Sequence, residues 1–342
     1  MGPTVGRSHV PLSCSDIWPG SNVQSDFKAL RERVDPVFWS WCEQRLPTLP
    51  SVPSAHAPAM LHRTVDFLAA RRTAGEKKVA LLVFDGLALD QWATIREELL
   101  RAGGKFAFDE ATTFAWLPTL TSVSRQAIFS GLRPREFADT IDGTAAEKSL
   151  WVRAWQDRGL KLPEVVYQKT LQRVEQLPAL EELISHPAVK VAGLVVDMVD
   201  ELIHDAKLGK RAVAQQIREW CATGFVEQIF RLLFQQGFHI YLTSDHGNTE
   251  ARGVGKPAEG ATADVRGERV RIYRSDALRR TTAEAWPAAR QLDLPGLPPS
   301  VLPLYADHGA AFVAVGEPVV VHGGASIEEL VVPFVRVSPV SS

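Results

Sequence analysis

The chain has 342 residues, 45% hydrophobic and 23% charged, with a formal net charge of −2. Such a length can bury a substantial core as one large α/β domain or as a domain with an appendage. The near-neutral balance excludes a chain made basic throughout for nucleic acid, while leaving room for a local basic groove. The opening MGPTVGRSHVPLSCSDIWPG holds no uninterrupted apolar core of secretory type, and no later window approaches the roughly 18 apolar residues of a membrane span, so a cytoplasmic protein is expected, without membrane partners. Cys14, Cys42 and Cys221 are too scattered for a disulfide framework or a Cys-x-x-Cys zinc site, which leaves oxygen and imidazole to hold any metal.

Residues 1–75 carry helix-like stretches near 23–45 and 58–73 joined by the Pro-punctuated LPTLPSVPSAHAP, and are expected to form an N-terminal helical segment. The register changes at Lys77, where KKVALLVFDG has the pattern of a buried parallel strand feeding a loop, so a catalytic domain is placed at 76–338. Strand-like and helix-like runs then alternate: strand 78–84, helix 90–102, strand 105–114, helix 121–131, strand 163–167, helix 171–185, strand 190–197, helix 210–235, strand 237–243. That alternation predicts an α/β fold with a mostly parallel sheet covered by helices on both faces. Segment 251–300, Gly/Pro-rich with one charged strand RVRIY, is expected to be an insertion or cap, and AAFVAV and PVVVHGG read as two further strands.

Ligands in open α/β sheets sit beyond the carboxyl ends of the strands, which raises the standing of polar residues that directly follow apolar runs. Three segments qualify: VALLVFDG with Asp85, GLVVDMVDELIH with Asp197, Asp200 and His204, and HIYLTSDHGN with Asp245 and His246. Singly, each has an ordinary explanation in a turn or a helix cap. Asp200 and His204 stand four residues apart, so on a helix they share a face and could grip one ion, and this spacing favours Asp200 over Asp197. Asp and His ligands without Cys suit zinc, or manganese. In WLPTLTSVSRQAIFSG, Thr121 falls at the start of a helical pattern, where amides and helix dipole favour a phosphate and a developing alkoxide; an N-cap role for Thr121 or Ser122 is the plainer alternative.

These segments resemble known enzymes. PTLTSVSRQAIFSGLRP is similar to the nucleophile motif of the alkaline phosphatase superfamily, in whose nucleotide pyrophosphatases the second Thr of Pro-Thr-x-Thr-x-Pro-Asn attacks phosphorus; Thr121 occupies that place, while Val123 and Ser124 stand where Pro-Asn would be. VFDG, LPTLTSVSRQAIFSG, VDELIH, TSDHGNTEARGVGKPAEG and HGGASIEELVVPF, in that order over about 78–336, resemble PglZ domains, the phosphatase-like component of BREX phage-defence systems.

The resemblance implies an alkaline-phosphatase-like fold and two divalent ions, one held by Asp200, His204 and His322, the other by Asp85, Thr121, Asp245 and His246. It further implies attack by Thr121 on a phosphate ester, with nucleotide or nucleic acid as substrate classes and other defence proteins as partners. Arg125 and Lys256 are candidate phosphate contacts, with solvated surface charge as the alternative. Asp307-His308-Gly309 repeats the Asp-His-Gly letters in a turn-like context and is left out of the site. A non-catalytic metal-binding scaffold of a defence complex is the competing reading, and a Ser-His-Asp hydrolase lacks the Gly-x-Ser-x-Gly elbow.

Overall fold

The computed structural model describes residues 21–205, 209–258 and 267–340, without the side chains of 21–25, 27, 28, 204 and 205. Its strands are β1 Val79–Phe84, β2 Phe106–Phe114, β3 Val165–Leu171, β4 Val191–Val196, β5 His239–Ser244, β6 Thr249–Gly253, β7 Val270–Tyr273, β8 Ala289–Gln291, β9 Leu302–Ala306, β10 Ala310–Ala311, β11 Pro318–Val321 and β12 Val331–Pro339. The helices are α1 Ser21–Arg45, α2 Thr64–Thr73, α3 Leu89–Arg101, α4 Thr121–Ser130, α5 Glu147–Gln156, α6 Leu177–Ile184, α7 Met198–Asp205, α8 Lys210–Ala222, α9 Phe225–Gln235, α10 Asp276–Ala285 and α11 Ile327–Leu330.

A six-stranded sheet of order β2-β12-β5-β1-β4-β3 organises the molecule, and β12 alone runs against its neighbours. The period-2 geometry of β1 sends Val79, Leu81 and Val83 into the core on one face and Ala80, Leu82 and Phe84 into the core on the other. Strands buried on both faces need helices on both, and α3, α6, α8 and α9 cover one side while α2, α4 and α5 cover the other. Trp39 and Cys42 of α1, with Met60, Leu61, Val65 and Leu68, belong to that second core, so residues from 39 onward are packed into the main body. The 251–300 region supplies strands to two small three-stranded sheets, β10-β6-β11 and β7-β9-β8.

Several expected elements differ in detail. The single helix expected over 210–235 is broken at Gly224, whose φ of 81° reverses the chain between α8 and α9. The helix expected from 171 begins only at Leu177, because β3 continues to Leu171 and a short 3-10 turn intervenes. AAFVAV contributes only Ala310–Ala311 as strand.

His62 packs against Trp116 with ring centroids 5.2 Å apart and is 2% exposed. Its Nε2 lies 3.3 Å from the Pro50 carbonyl, while its buried Nδ1 has no hydrogen-bond partner. Burial, aided by neighbouring Arg63, pulls its pKa down to about 4 from the usual 6.5. A depressed pKa means that the unfolded chain takes up the proton first, so the stability present above pH 6.5 is lost as pH falls through about 4. That loss amounts to about 3 kcal/mol. Urea unfolding at pH 7 and pH 4 should therefore show His62→Phe losing less stability over this window than the parent chain. Equal losses would mean that His62 does not carry the dependence.

Candidate active site

The sheet register assembles the site. Phe84 pairs with Val196 on one side and Ser244 on the other, so the next residues, Asp85, Asp197 and Asp245, leave three adjacent strands side by side. The Asp85 amide donates to the Val196 carbonyl at 3.0 Å. Gly86 then turns with φ 70°, in the left-handed region that glycine enters without a steric cost, and its amide donates to Asp245 Oδ1 at 3.0 Å. Gly247 answers a different need: a Cβ there would stand 1.9 Å from the Glu328 carbonyl oxygen, so only glycine lets the two segments meet. Asn248, fully buried, ties the turn down by donating from Nδ2 to the Gly86 carbonyl at 2.7 Å.

Asp85, Asp245 and His246 are buried, and one ligand atom from each lies within 4.8 Å of the others. Asp245 Oδ1 accepts from the amides of Gly86 and His246, whereas its Oδ2 is buried with no hydrogen-bond partner. His246 Nδ1 lies 3.0 Å from the Gly247 carbonyl; because a carbonyl only accepts, Nδ1 carries the proton and Nε2 is left for a ligand. His322 repeats the device, with Nδ1 2.8 Å from the Thr119 carbonyl, and its ring stacks on that of His246 at 4.0 Å and 15°. Carbonyl partners of this kind orient imidazoles as metal ligands.

Burial pushes Asp85 well above the usual carboxylate range, with Asp245 adding to the rise and Arg125 opposing it. Asp245 is pushed up to about 6 by burial, against the pull of Arg125, and burial together with His322 holds His246 well below the usual imidazole range. Two crowded carboxylates, an unpaired buried oxygen and a neutral imidazole fit a divalent cation, whose charge would offset the cost of ionising both acids.

Thr121 is the first residue of α4, after Leu120 at the cap position, and makes no capping bond; its Oγ1 lies 3.0 Å from His246 Nε2 and 3.5 Å from Asp85 Oδ1. The plainer N-cap alternative therefore does not describe its side chain. Asp200, in the first turn of α7, lies beside Gly86, where a Cβ would stand 3.5 Å from its Oδ1. The side chain of His204 lies outside the described residues. Asp197 Oδ1 stands 3.8 Å from Arg125 Nη1.

Arg125 is arranged differently from the expected phosphate contact or surface charge. It is 4% exposed, with Nε and Nη2 donating to Glu147 at 2.9 and 2.8 Å and Nη1 donating to Asp85 Oδ2 at 2.5 Å, so its donors face carboxylates. Lys256 is exposed in the loop after β6, with no contact to the cluster among the described residues. Asp307 and His308 occupy a turn between β9 and β10, strands of different sheets, and His308 faces Asp35 at 3.5 Å.

Sequence reasoning missed three participants. Glu147 and Tyr167 meet Arg125 from α5 and β3 across stretches with no motif, and only the fold brings them together. Thr119, whose Oγ1 donates to the Gly324 carbonyl at 2.8 Å and accepts from the Gly323 amide at 3.0 Å, joins the Thr121 segment to the His322 loop. Its place in Pro-Thr-x-Thr was the available signal.

The fold and these residues can be set beside known proteins. No curated protein sequence matches the chain significantly. Among solved structures, murine ectonucleotide pyrophosphatase/phosphodiesterase 5, as an inactive threonine-to-alanine variant in complex with AMP, is similar with a TM-score of 0.57 and 14% identity over 76% of this chain and 88% of that one. The human protein of the same name gives 0.51 and 13%, over 76% and 87%. At these identities the likeness establishes the fold. A family model described as the BREX system PglZ alkaline phosphatase-like domain matches residues 68–337. With that match covering most of its length, and with the mostly parallel sheet and site-bearing strand ends in place, the chain belongs to the PglZ family of alkaline phosphatase-like domains.

Proposed function

We propose that the chain is a metal-dependent phosphoesterase, acting on phosphodiesters or nucleotides, in which Thr121 is the nucleophile. The observation that carries the reading is the placement of Thr121 Oγ1 at a helix N-terminus, 3.0 Å from His246 Nε2 and at the edge of the Asp85–Asp245–His246 cluster. Asp85, Thr121, Asp245 and His246 would hold one divalent ion, and Asp200, His204 and His322 a second, with zinc favoured by the donor set and manganese also suited to it. Bound there, such ions supply Lewis acidity that lowers the hydroxyl pKa and neutralises charge on the transferring phosphoryl group.

The protein's own groups do the rest. The Thr121 hydroxyl gives up its proton to water and its oxygen forms the new bond to phosphorus as the P–O bond to the leaving group breaks in line, giving a phosphothreonine that water then hydrolyses, restoring the hydroxyl. The first turn of α4 presents its positive dipole end to the phosphoryl oxygens. Asp245 and the carbonyl-held imidazoles keep the donor atoms in place between turnovers.

AMP in the similar solved structure supports nucleotides as the substrate class, and membership of a BREX family supports a role in phage defence, beside other defence proteins in the cytoplasm. No helix among the described residues is long and apolar enough to cross a membrane.

Hydrolysis of bis-p-nitrophenyl phosphate and p-nitrophenyl phosphate, with and without zinc or manganese, tests the proposal. Metal-dependent turnover, faster on the diester, is expected. Absence of turnover on both esters and on nucleotides under either metal would overturn the enzyme reading in favour of a metal-binding scaffold.

A further inference from the structure

We infer that Glu147 and Tyr167 are positioning residues for the metal cluster: they fix Arg125 so that its remaining nitrogen, Nη1, holds Asp85 with Oδ1 turned toward Thr121. The inference rests on reading Asp85, Asp245 and His246 as metal ligands.

The guanidinium of Arg125 is held on both of its outer edges by carboxylates. Glu147 is fully buried at the start of α5 and takes Arg125 in a two-point fork, Nε to Oε1 at 2.9 Å and Nη2 to Oε2 at 2.8 Å. Such a fork fixes the plane of the guanidinium as well as its position. Tyr167 of β3 donates its hydroxyl to the same Oε2, and its ring is itself braced edge-on by Phe129 at 5.1 Å. Nη1 is the nitrogen left over, and it points at Asp85 Oδ2, 2.5 Å away, with Asp197 Oδ1 at 3.8 Å.

Asp85 cannot then turn freely. One of its oxygens is held by Arg125, and the other lies 3.5 Å from Thr121 Oγ1. The same fixed cation offsets repulsion among Asp85, Asp197, Asp200 and Asp245, which converge here from three strand ends and one helix. A purely structural role explains this poorly, because a buried ion pair generally stabilises a fold no better than apolar residues of the same volume. Partners one shell removed from a metal typically tune its affinity by about 10–100-fold.

The experiment titrates zinc, and separately manganese, against a competing chromophoric chelator with the full chain and the variants Glu147→Gln and Tyr167→Phe. Circular dichroism and melting of the metal-free proteins report folding. Glu147→Gln, which acts on Asp85 through Arg125, should weaken zinc binding at the low end of that range, by about tenfold. Tyr167→Phe should act in the same direction and less, and hydrolysis by Glu147→Gln should recover as metal is raised to saturation. A merely structural role would lower the melting temperature and leave the affinity of the folded protein unmoved.

Variants that fold and bind as tightly as the parent would overturn the inference alone. If Glu147→Gln does not fold, Tyr167→Phe decides, and an unchanged affinity there overturns it. A parent chain that binds neither metal would remove the metal-site reading and this inference together.

Discussion

Thr121→Ala should reduce metal-dependent phosphoester hydrolysis by roughly a thousandfold or more while leaving the fold unchanged. The first half follows from chemistry: no other hydroxyl is placed 3.0 Å from His246 Nε2 and 3.5 Å from Asp85 Oδ1 among the described residues. The second half follows from geometry. A threonine serving as N-cap would cost about 1 kcal/mol on truncation. Thr121, however, is the first helical residue after Leu120 and makes no capping bond, so alanine there removes no helix-stabilising contact. Thermal melting and hydrolysis measured on the same preparation separate the two roles. Lost activity with an unchanged melting temperature supports the nucleophile, and Thr121→Ser, which restores a hydroxyl, should recover part of the rate. Retained activity with a lowered melting temperature would make Thr121 a structural residue and leave the attack to another group.

The parts of this site that were legible in sequence are those fixed by local pattern. An apolar run ended by Asp-Gly places Asp85 at a strand end, and the same logic finds Asp245 and His246, because side chains beyond a buried strand must meet solvent or a ligand. His322 became a candidate through resemblance alone, since HGG after a short strand carries no spacing signal, and the stacked His246–His322 pair forms only when β11 is threaded beside β6.

The environment of Arg125 was not legible. Its position one turn after Thr121 suggested a phosphate contact, and nothing in the sequence indicates that α5 and β3 would bring Glu147 and Tyr167 to it. Long-range polar pairing depends on packing between elements, which periodicity cannot resolve. The helix break at Gly224 and the extension of β3 to Leu171 failed for a related reason: continuous apolar periodicity spans both, and local backbone geometry decides where the element ends.

Asp245→Asn should stabilise the metal-free protein and weaken its response to metal. Asp245 is wholly buried, with Oδ2 lacking a hydrogen-bond partner, and its pKa is pushed up to about 6 from 3.8. A raised carboxyl pKa means that the folded chain prefers the protonated form. Its contribution is intact below about pH 4 and lost as pH climbs through about 6, so that near pH 7.5 the fold carries a cost of about 3 kcal/mol from this one group. Asparagine keeps Oδ1 for the amides of Gly86 and His246 and removes the charge. The metal-free variant should therefore melt about 5 °C above the metal-free parent at pH 7.5, and the gap should close toward pH 4. Added zinc should reverse the order. At a thousand times its dissociation constant a bound ion stabilises the parent by about 4 kcal/mol, more than the advantage of the metal-free variant, while the variant keeps only Asp200, His204 and His322 for a second ion and gains less. A parent that melts at the same temperature with and without zinc or manganese would show that the buried carboxylates serve no ion. A variant that gains as much stability from metal as the parent would show that Asp245 is not one of its ligands.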